Sequence, residues 1–309
     1  MKKKSKFQKF WISMKKNWML HLMALPAVIA IIVFSYIPKV GILMAFQKID
    51  LSKGPYTSPW VGLKNFEFLF ASSDAWEITR NTVLYNAVFL VLNLVLAMGF
   101  AMIISELRWK RTAKTLQTML IMPHFLSIVA VSMAVYAFLR PEGGFINSTF
   151  GLGRFNWYGY EGKPYWPYLL TFIHLWMVVG FNSIVYTGVI SSISPEYYEA
   201  AAIDGASKFK QAWYITVPHL RTIMCINLIR SIGNLMSSDF GLFYTVPRDS
   251  GALMSVTQTL DTYIYRSLSL FSDPNKSTAA GLYQSLIGLV LVCTANYIVD
   301  KIDSDSAMF

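Results

Sequence analysis

The residues best suited to covalent or metal chemistry in this chain are four histidines, His21, His124, His174 and His219, and two cysteines, Cys225 and Cys293. Neither set is spaced for such work. No His-Glu-x-x-His, Cys-x-x-Cys or Gly-x-Ser-x-Gly pattern occurs, so neither a metal-bound water nor an activated nucleophile is nominated. Both cysteines fall inside apolar runs and read as small core residues rather than a disulfide or a metal pair. The Gly-x-x-x-x-Gly-Lys-Ser/Thr loop that cradles nucleotide phosphates is also missing. The chain is therefore expected not to be an enzyme, and to carry no cofactor or metal of its own.

The remaining chemistry is polar and lies within apolar runs, where burial in lipid is costly. Thr171, His174 and Asn182 fall within one helical arc at about 100° per residue. Arg230, Ser231, Asn234 and Ser238 share a face by the same spacing. His124 and Ser127 are one turn apart beside Pro123, which can unwind a helix locally. These faces either line a polar path at mid-membrane or bond neighbouring helices and backbone carbonyls, as such residues do in bundles. Arg230 is left either to pair with Asp239 or to extend to the outer interface. Between Phe155 and Tyr168, the aromatics Trp157, Tyr158, Tyr160, Tyr165, Trp166 and Tyr168 could stack on sugar rings. An interfacial aromatic belt accounts for them more simply.

The elements that must position these groups follow from composition. Of 309 residues, 54% are hydrophobic and only 14% charged, against about a quarter charged in soluble domains. Mean hydropathy is +0.43. The net charge of +10 gathers at the N-terminus and beside the apolar runs, a pattern that fits anionic lipid and membrane topology rather than nucleic acid. Seven lysines, Lys2, Lys3, Lys4, Lys6, Lys9, Lys15 and Lys16, occupy residues 1–17. The apolar run that follows is too long for a signal-peptide core and has no small-residue cleavage site, so it reads as an uncleaved first span. Spans are expected at about 18–46, 81–104, 116–139, 166–190, 218–237 and 279–299, each near the roughly 20 residues a bilayer requires. Pro26 and Pro38 are possible kinks in the first. The chain then divides into a basic tail (1–17), a membrane domain (18–302) and a C-terminal tail (303–309). Placing the lysine-rich N-terminus inside puts the basic turn of Arg108, Lys110, Arg111 and Lys114 inside as well. The segment between the fourth and fifth spans and the C-terminus then also fall in the cytoplasm.

That segment, 194–218, is a polar island. Ser194-Pro195 can open a helix, Glu196 and Glu199 suit its positive end, and Ala200, Ala201 and Ala202 favour it. Gly205 can end it in the left-handed conformation. Ser207 can cap a second short helix running to Val217, with Pro218 opening the next long one. The spacing of Glu199-Ala200-Ala201, Asp204-Gly205-Ala206, Trp213, Ile215 and Pro218 resembles the EAA loop of binding-protein-dependent ABC importer permeases. Leu120-Ile121-Met122-Pro123 and Trp176 with Gly180-Phe181 resemble the same family, and Asp261-Thr-Tyr-Ile-Tyr-Arg266, with Phe240-Gly-Leu-Phe-Tyr244 ahead of it, is similar to its complex-carbohydrate permeases of Gram-positive bacteria.

The resemblance implies an all-α membrane protein: a six-transmembrane-helix permease bundle with a cytoplasmic coupling loop, multi-pass in the cell membrane. It implies that Glu199, Ala200, Ala201, Asp204, Gly205, Ala206, Phe209, Trp213 and Pro218 dock on an ATPase subunit. It further implies a second homologous permease, two ATPase subunits that carry ATP and magnesium, and an extracellular solute-binding protein. The cargo would be an oligosaccharide, moved by alternating access. By position it points to His174, Asn182, Ser231 and Asn234, with His124 on the earlier helix, as the solute path, to which the turn beside Pro123 adds Ser127. His219 departs from the family's usual aliphatic residue after Pro218. An importer of amino acids, peptides or other small solutes is the alternative. A secondary carrier would require an intramembrane acid for ion coupling, and no clear candidate lies in the six runs. Gly205→Pro and Glu199→Lys are each expected to abolish transport-coupled ATPase activity while leaving membrane insertion intact. Wild-type turnover in both variants would remove the docking role.

Overall fold

Apolar runs of this length become helices because only a helix satisfies all its backbone groups internally in lipid. The computed structural model describes residues 15–50, 54, 57–71, 73–270 and 272–302, and among these no strand forms beyond an isolated Gln47–Trp60 bridge. Lysines 2, 3, 4, 6 and 9 and the tail 303–309 lie outside the described residues.

Helix α1 (Trp18–Ile31) continues through a π turn (Ile32–Tyr36) and a 3-10 stretch (Ile37–Phe46). The change of helix type falls beside Pro38, whose missing N–H breaks the ladder, whereas Pro26 sits inside regular α-helix. Helix α2 (Ser73–Glu106) runs parallel to α5 (Trp166–Ser191). Their interface extends from Tyr85, Phe89, Leu170 and Ile173 to Ala97, Ala101, Tyr186 and Ile190. Helix α9 (Pro274–Ile302) contains the run expected at 279–299.

Among the described residues four helices, Trp18–Phe46, Asp74–Glu106, Lys163–Ser191 and Pro274–Lys301, are long and apolar enough to cross a membrane. The run expected at 116–139 is not one straight rod. It divides into α3 (Lys110–Ile121) with a 3-10 turn at Met122–Phe125, and α4 (Ile128–Leu139), bent by 96°. Pro123 stands in the 3-10 turn, Leu126 is extended, and Ser127 restarts the helix by accepting the Val129 N–H. Counted as one span, this pair brings the total to five. The run expected at 218–237 is helical as α7 (Val217–Gly233), which is about 26 Å long and carries Arg221 and Arg230. It is not among the helices that meet both criteria.

The segment after α7 is more than the polar connection its turn signals imply. Leu242, Phe243, Val246 and Leu253 are completely buried against Tyr85, Phe89, Trp166 and Leu170. Irregular backbone at such a depth must be satisfied by protein. One face of α2 does this: Asn81 donates to the carbonyls of Ser255 and Gln258, Tyr85 to that of Val256, and Asn86 to those of Leu235 and Ser237. Thr82 accepts the Leu260 N–H at 2.9 Å, where α8 (Leu260–Ser269) begins. Buried Arg266 then holds Asp249 through its Nε at 2.9 Å and through Nη2. That pair fixes a loop in which Arg248 and Asp249 both have positive φ, 58° and 50°.

The aromatic loop is mostly structural. Trp166 is buried and donates to Trp157 O, Trp157 donates to Asn147, and Ser250 donates to Tyr158 O. Tyr160 and Tyr168 remain exposed.

Gly180 sets the distance between α3 and α5, since a Cβ there would run into the Leu120 carbonyl. Gly180→Ala should lower the apparent Tm of the purified protein by several degrees, the mark of about 1–3 kcal/mol of overpacking. Gly188→Ala places its methyl in open space and should melt as wild type. Equal melting of the two variants would contradict this contact.

Candidate functional site

The hairpin expected at 194–218 forms from local signals. Ser194 Oγ accepts the Glu196 N–H and caps α6 (Pro195–Ile203), with Pro195 in its first turn and Glu196 at its positive end. Asp204 ends the helix and Gly205 turns the chain with φ +76°. The Ala206 N–H returns to Ala201 O and the Gly205 N–H to Ala202 O, which closes the helix end in a Schellman motif. Ser207 caps the next turn by accepting the Lys210 N–H. Gln211 donates to Ala206 O, and Tyr198 shares a 3.0 Å hydrogen bond with Thr216 across the hairpin.

The separate helix expected over Ser207 to Val217 is not a separate element. Lys208–Gln211, a π turn at Ala212–Thr216 and α7 follow one another without a break. The widened turn accommodates Pro218, which lacks the N–H a regular ladder would use. His219 bonds Ile215 O through Nδ1 at 2.7 Å and lies beside Tyr197.

The tip of the hairpin is apolar and bare. Ile203 is 87% exposed, Phe209 77% and Tyr214 74%, and Trp213 stacks on Phe209 at 6.5 Å. Glu199, Ala200, Asp204 and Gly205 are also exposed, as is Pro218, while Ala201 and Ala206 are half-buried. A large apolar patch ringed by charge, on a frame held by its own hydrogen bonds, is suited to docking a protein and carries no catalytic group. Lys208 reaches Glu106 at 3.0 Å, so the hairpin and the basic turn after α2 occupy the same end of the molecule.

The expected path residues separate. Asn182 and Ser231 come together with Asn93, Asn227 and Arg230 in a narrow cleft between α2, α5 and α7. Asn234 faces an adjoining cavity of about 650 Å³ between α7 and α9, shared with Arg230, Asp261 and Gln284. His174 and His124 line neither: His174 lies flat on Phe89 at 3.9 Å, and His124 on Phe181 at 4.2 Å. Ser127 serves as a helix cap. Thr171 returns its hydroxyl to Pro167 O. Asn227 lies one turn before Arg230 and Ser231, so the same spacing that singled them out could have included it. Asp261 carries no such signal. Its carboxylate accepts Ser238 N at 2.6 Å, Ser238 Oγ at 2.9 Å and Gln284 Nε2 at 3.2 Å, contacts that exist only in the folded chain.

Asp239 does not pair with Arg230. Its Oδ1 accepts the Leu242 N–H, and no carboxylate lies within 4 Å of Arg230 among the described residues. Among those residues no cluster of three metal-ligating side chains occurs, and both cysteines are free.

Residues 97–304 match the family described as binding-protein-dependent transport system inner membrane component. The chain is 32% identical, over 97% of its length and 93% of the relative's, to the polygalacturonan/rhamnogalacturonan transport system permease protein YteP of Bacillus subtilis (strain 168). It is 28% identical to Protein LplB of the same organism, over 96% and 93% of the two chains. Its fold superposes with a TM-score of 0.86 on a chain of a bacterial ABC transporter involved in the import of the acidic polysaccharide alginate. Identity in that pair is 29%, and 96% and 99% of the two chains are covered. A second structure, of the alginate transporter in complex with its pentasaccharide-bound periplasmic protein, gives a TM-score of 0.83 at 28% identity, over 94% and 97% of the chains. The all-helical fold, the match to more than half of the chain and the exposed hairpin agree: this chain belongs to the binding-protein-dependent transport system inner membrane components, the permease subunits of ABC importers.

Proposed function

We propose that this permease works beside a second, homologous permease and two ATPase subunits, and that it admits an oligosaccharide delivered by an extracellular solute-binding protein. The coupling role rests on one mechanical observation. The exposed hairpin tip and the polar cavity are the two ends of one unbroken helical rod, Lys208 to Gly233. A partner that grips Ile203, Phe209 and Trp213 can therefore move Arg230, Ser231 and Asn234 directly. Grip alone is not enough, because a contact equally strong in both states of the motor shifts nothing.

ATP and magnesium belong to the partner subunits, since nothing in this sequence cradles phosphates. The hairpin and both termini face the cytoplasm. The positive-inside count supports that orientation, as does the Glu106–Lys208 contact that gathers the basic turn and the hairpin at one end. The membrane domain spans 18–302 between a basic N-terminal tail and a short C-terminal one. Asn182 and Ser231 in the cleft, and Asn234 in the adjoining cavity, are the path residues this reading retains, and the similarity to polysaccharide permeases supports a carbohydrate cargo.

The test is reconstitution in liposomes with a panel of radiolabelled oligosaccharides, amino acids and peptides. Uptake of an oligosaccharide that requires ATP and the second permease is expected. Uptake by this chain alone under an ion gradient, or of amino acids or peptides only, would contradict the proposal. A second prediction concerns the turn at Gly205. Gly205→Asn tolerates positive φ and should preserve coupled ATPase activity. Gly205→Val should cost about 1–2 kcal/mol locally and accelerate amide exchange at Ala206. Identical exchange in the two variants would show that the left-handed turn does not hold the hairpin.

A further inference from the structure

We propose that Arg230 is a specificity-determining residue that receives a carboxylate of the cargo, so that the oligosaccharide admitted here is acidic and built from uronic acid units. The assignment rests on the carbohydrate cargo proposed above and narrows it.

Arg230 stands where the two polar openings meet. On one side is the cleft with Asn93, Asn182, Asn227 and Ser231. On the other is the cavity of about 650 Å³ with Asn234, Ser237, Asp261, Gln284 and Ser285. A cavity of that size lies within the range of small-molecule sites, roughly 300–1,000 Å³. Its depth follows from its neighbours: the cleft includes Leu90 and Asn93 of α2, roughly 20–25 Å along the helix from Glu106. Arg230 is exposed in this single chain and is a permanent cation near mid-span, where an ionised side chain turned to lipid is costly and one turned to a path is the mark of a functional group.

The described residues offer that cation no partner. Among the described residues, Arg230 has no carboxylate within 4 Å and no side-chain hydrogen bond. Two acidic groups are close enough in the fold to consider. Asp261 opens on the same cavity, but Ser238 and Gln284 hold its carboxylate. Asp239 follows the end of α7, and its Oδ1 caps the Leu242 N–H. Beside it, Asn93 Oδ1 is buried in the cleft with no hydrogen-bond donor among the described residues.

A cation and an unsatisfied acceptor, surrounded by amides and hydroxyls, complement a ring that bears one carboxylate and several hydroxyls. A guanidinium donates two parallel hydrogen bonds to a carboxylate, and no hydroxyl can replace that interaction. A neutral sugar would use the amides and leave the charge unanswered. The alginate importer that shares this fold handles a polysaccharide described as acidic, in keeping with the chemistry inferred here.

The test is equilibrium binding of trigalacturonate and of its carboxyl-reduced galactose trimer to the purified complete importer without its solute-binding protein. Wild type is expected to prefer the uronate. Arg230→Gln should weaken the uronate roughly tenfold or more, the loss of a charge-assisted pair, and leave the neutral trimer unchanged. Arg230→Lys keeps the charge and should retain part of the preference, which covers the case in which the glutamine variant fails to assemble. Equal effects on both trimers, no effect on either, or loss of preference in the lysine variant would overturn the assignment of Arg230 while leaving a carbohydrate cargo intact. Binding of neither trimer by wild type would overturn the cargo proposal, and the Arg230 assignment with it.

Discussion

The helical rod from Lys208 to Gly233 is the constraint on which the rest of the molecule depends. It is roughly 40 Å long, and it is useful only if it does not bend when pushed. The surrounding structure supplies that stiffness at several points. At the hairpin end, Tyr198 bonds Thr216 and buried Gln211 bonds Ala206, so α6 and the rod move as one piece. Leu220 is completely buried among Ala97, Ala101, Tyr186 and Ile190, which seats the rod between α2 and α5. Beyond its far end, Ser238 is held by Asp261, and Gln284 of α9 holds Asp261 in turn. The π turn at Ala212–Thr216 is the weakest point, because it departs from the regular ladder to make room for Pro218.

A second constraint is the accounting of backbone polar groups away from water. The segment from Leu235 to Leu260 folds irregularly at the level of the α2–α5 interface, and every unpaired carbonyl there would cost free energy. Asn81, Thr82, Tyr85 and Asn86 of α2 form a ladder of side chains that meets this demand. The close α3–α5 approach at Gly180 is a separate solution to a similar problem. There the backbones nearly touch, beside the broken turn at Pro123. The two devices are alike in one respect: each allows the chain to leave regular helix without exposing its backbone to lipid.

How much of this was legible in the sequence depends on how local the physics is. The hairpin was legible almost residue by residue, because Ser194, Pro195, Gly205 and Ser207 each act on their immediate neighbours. The break near Pro123 was legible as a possibility, though not its 96° angle, which depends on α5. The buried segment after α7 was not legible. Its partners, Asn81 and Asn86, lie some 150–180 residues earlier and look like ordinary polar residues near the start of a span. That the two histidines line neither opening was hidden for the same reason. His174 looks like a polar lining group until Phe89, far away in sequence, stacks on its ring, and His124, though exposed, stacks on Phe181 in the same way. Arg230 was conspicuous, but the expected partner Asp239 is turned to a backbone N–H.

Stiffness of the rod inside a working importer is the most direct thing to measure. Spin labels at positions 210 and 234, with Cys225 and Cys293 replaced by serine, report its length; a third label at position 92 reports its position relative to α2. Distances would be recorded by pulsed electron resonance in the complete, reconstituted importer with and without ATP. A rigid lever predicts a single 210–234 distance of roughly 35 Å in both states, together with a nucleotide-dependent shift of the 92–234 distance. A 210–234 distance that shortens or splits on ATP binding would place a hinge at the π turn, and the hairpin would then no longer drive the polar cavity directly.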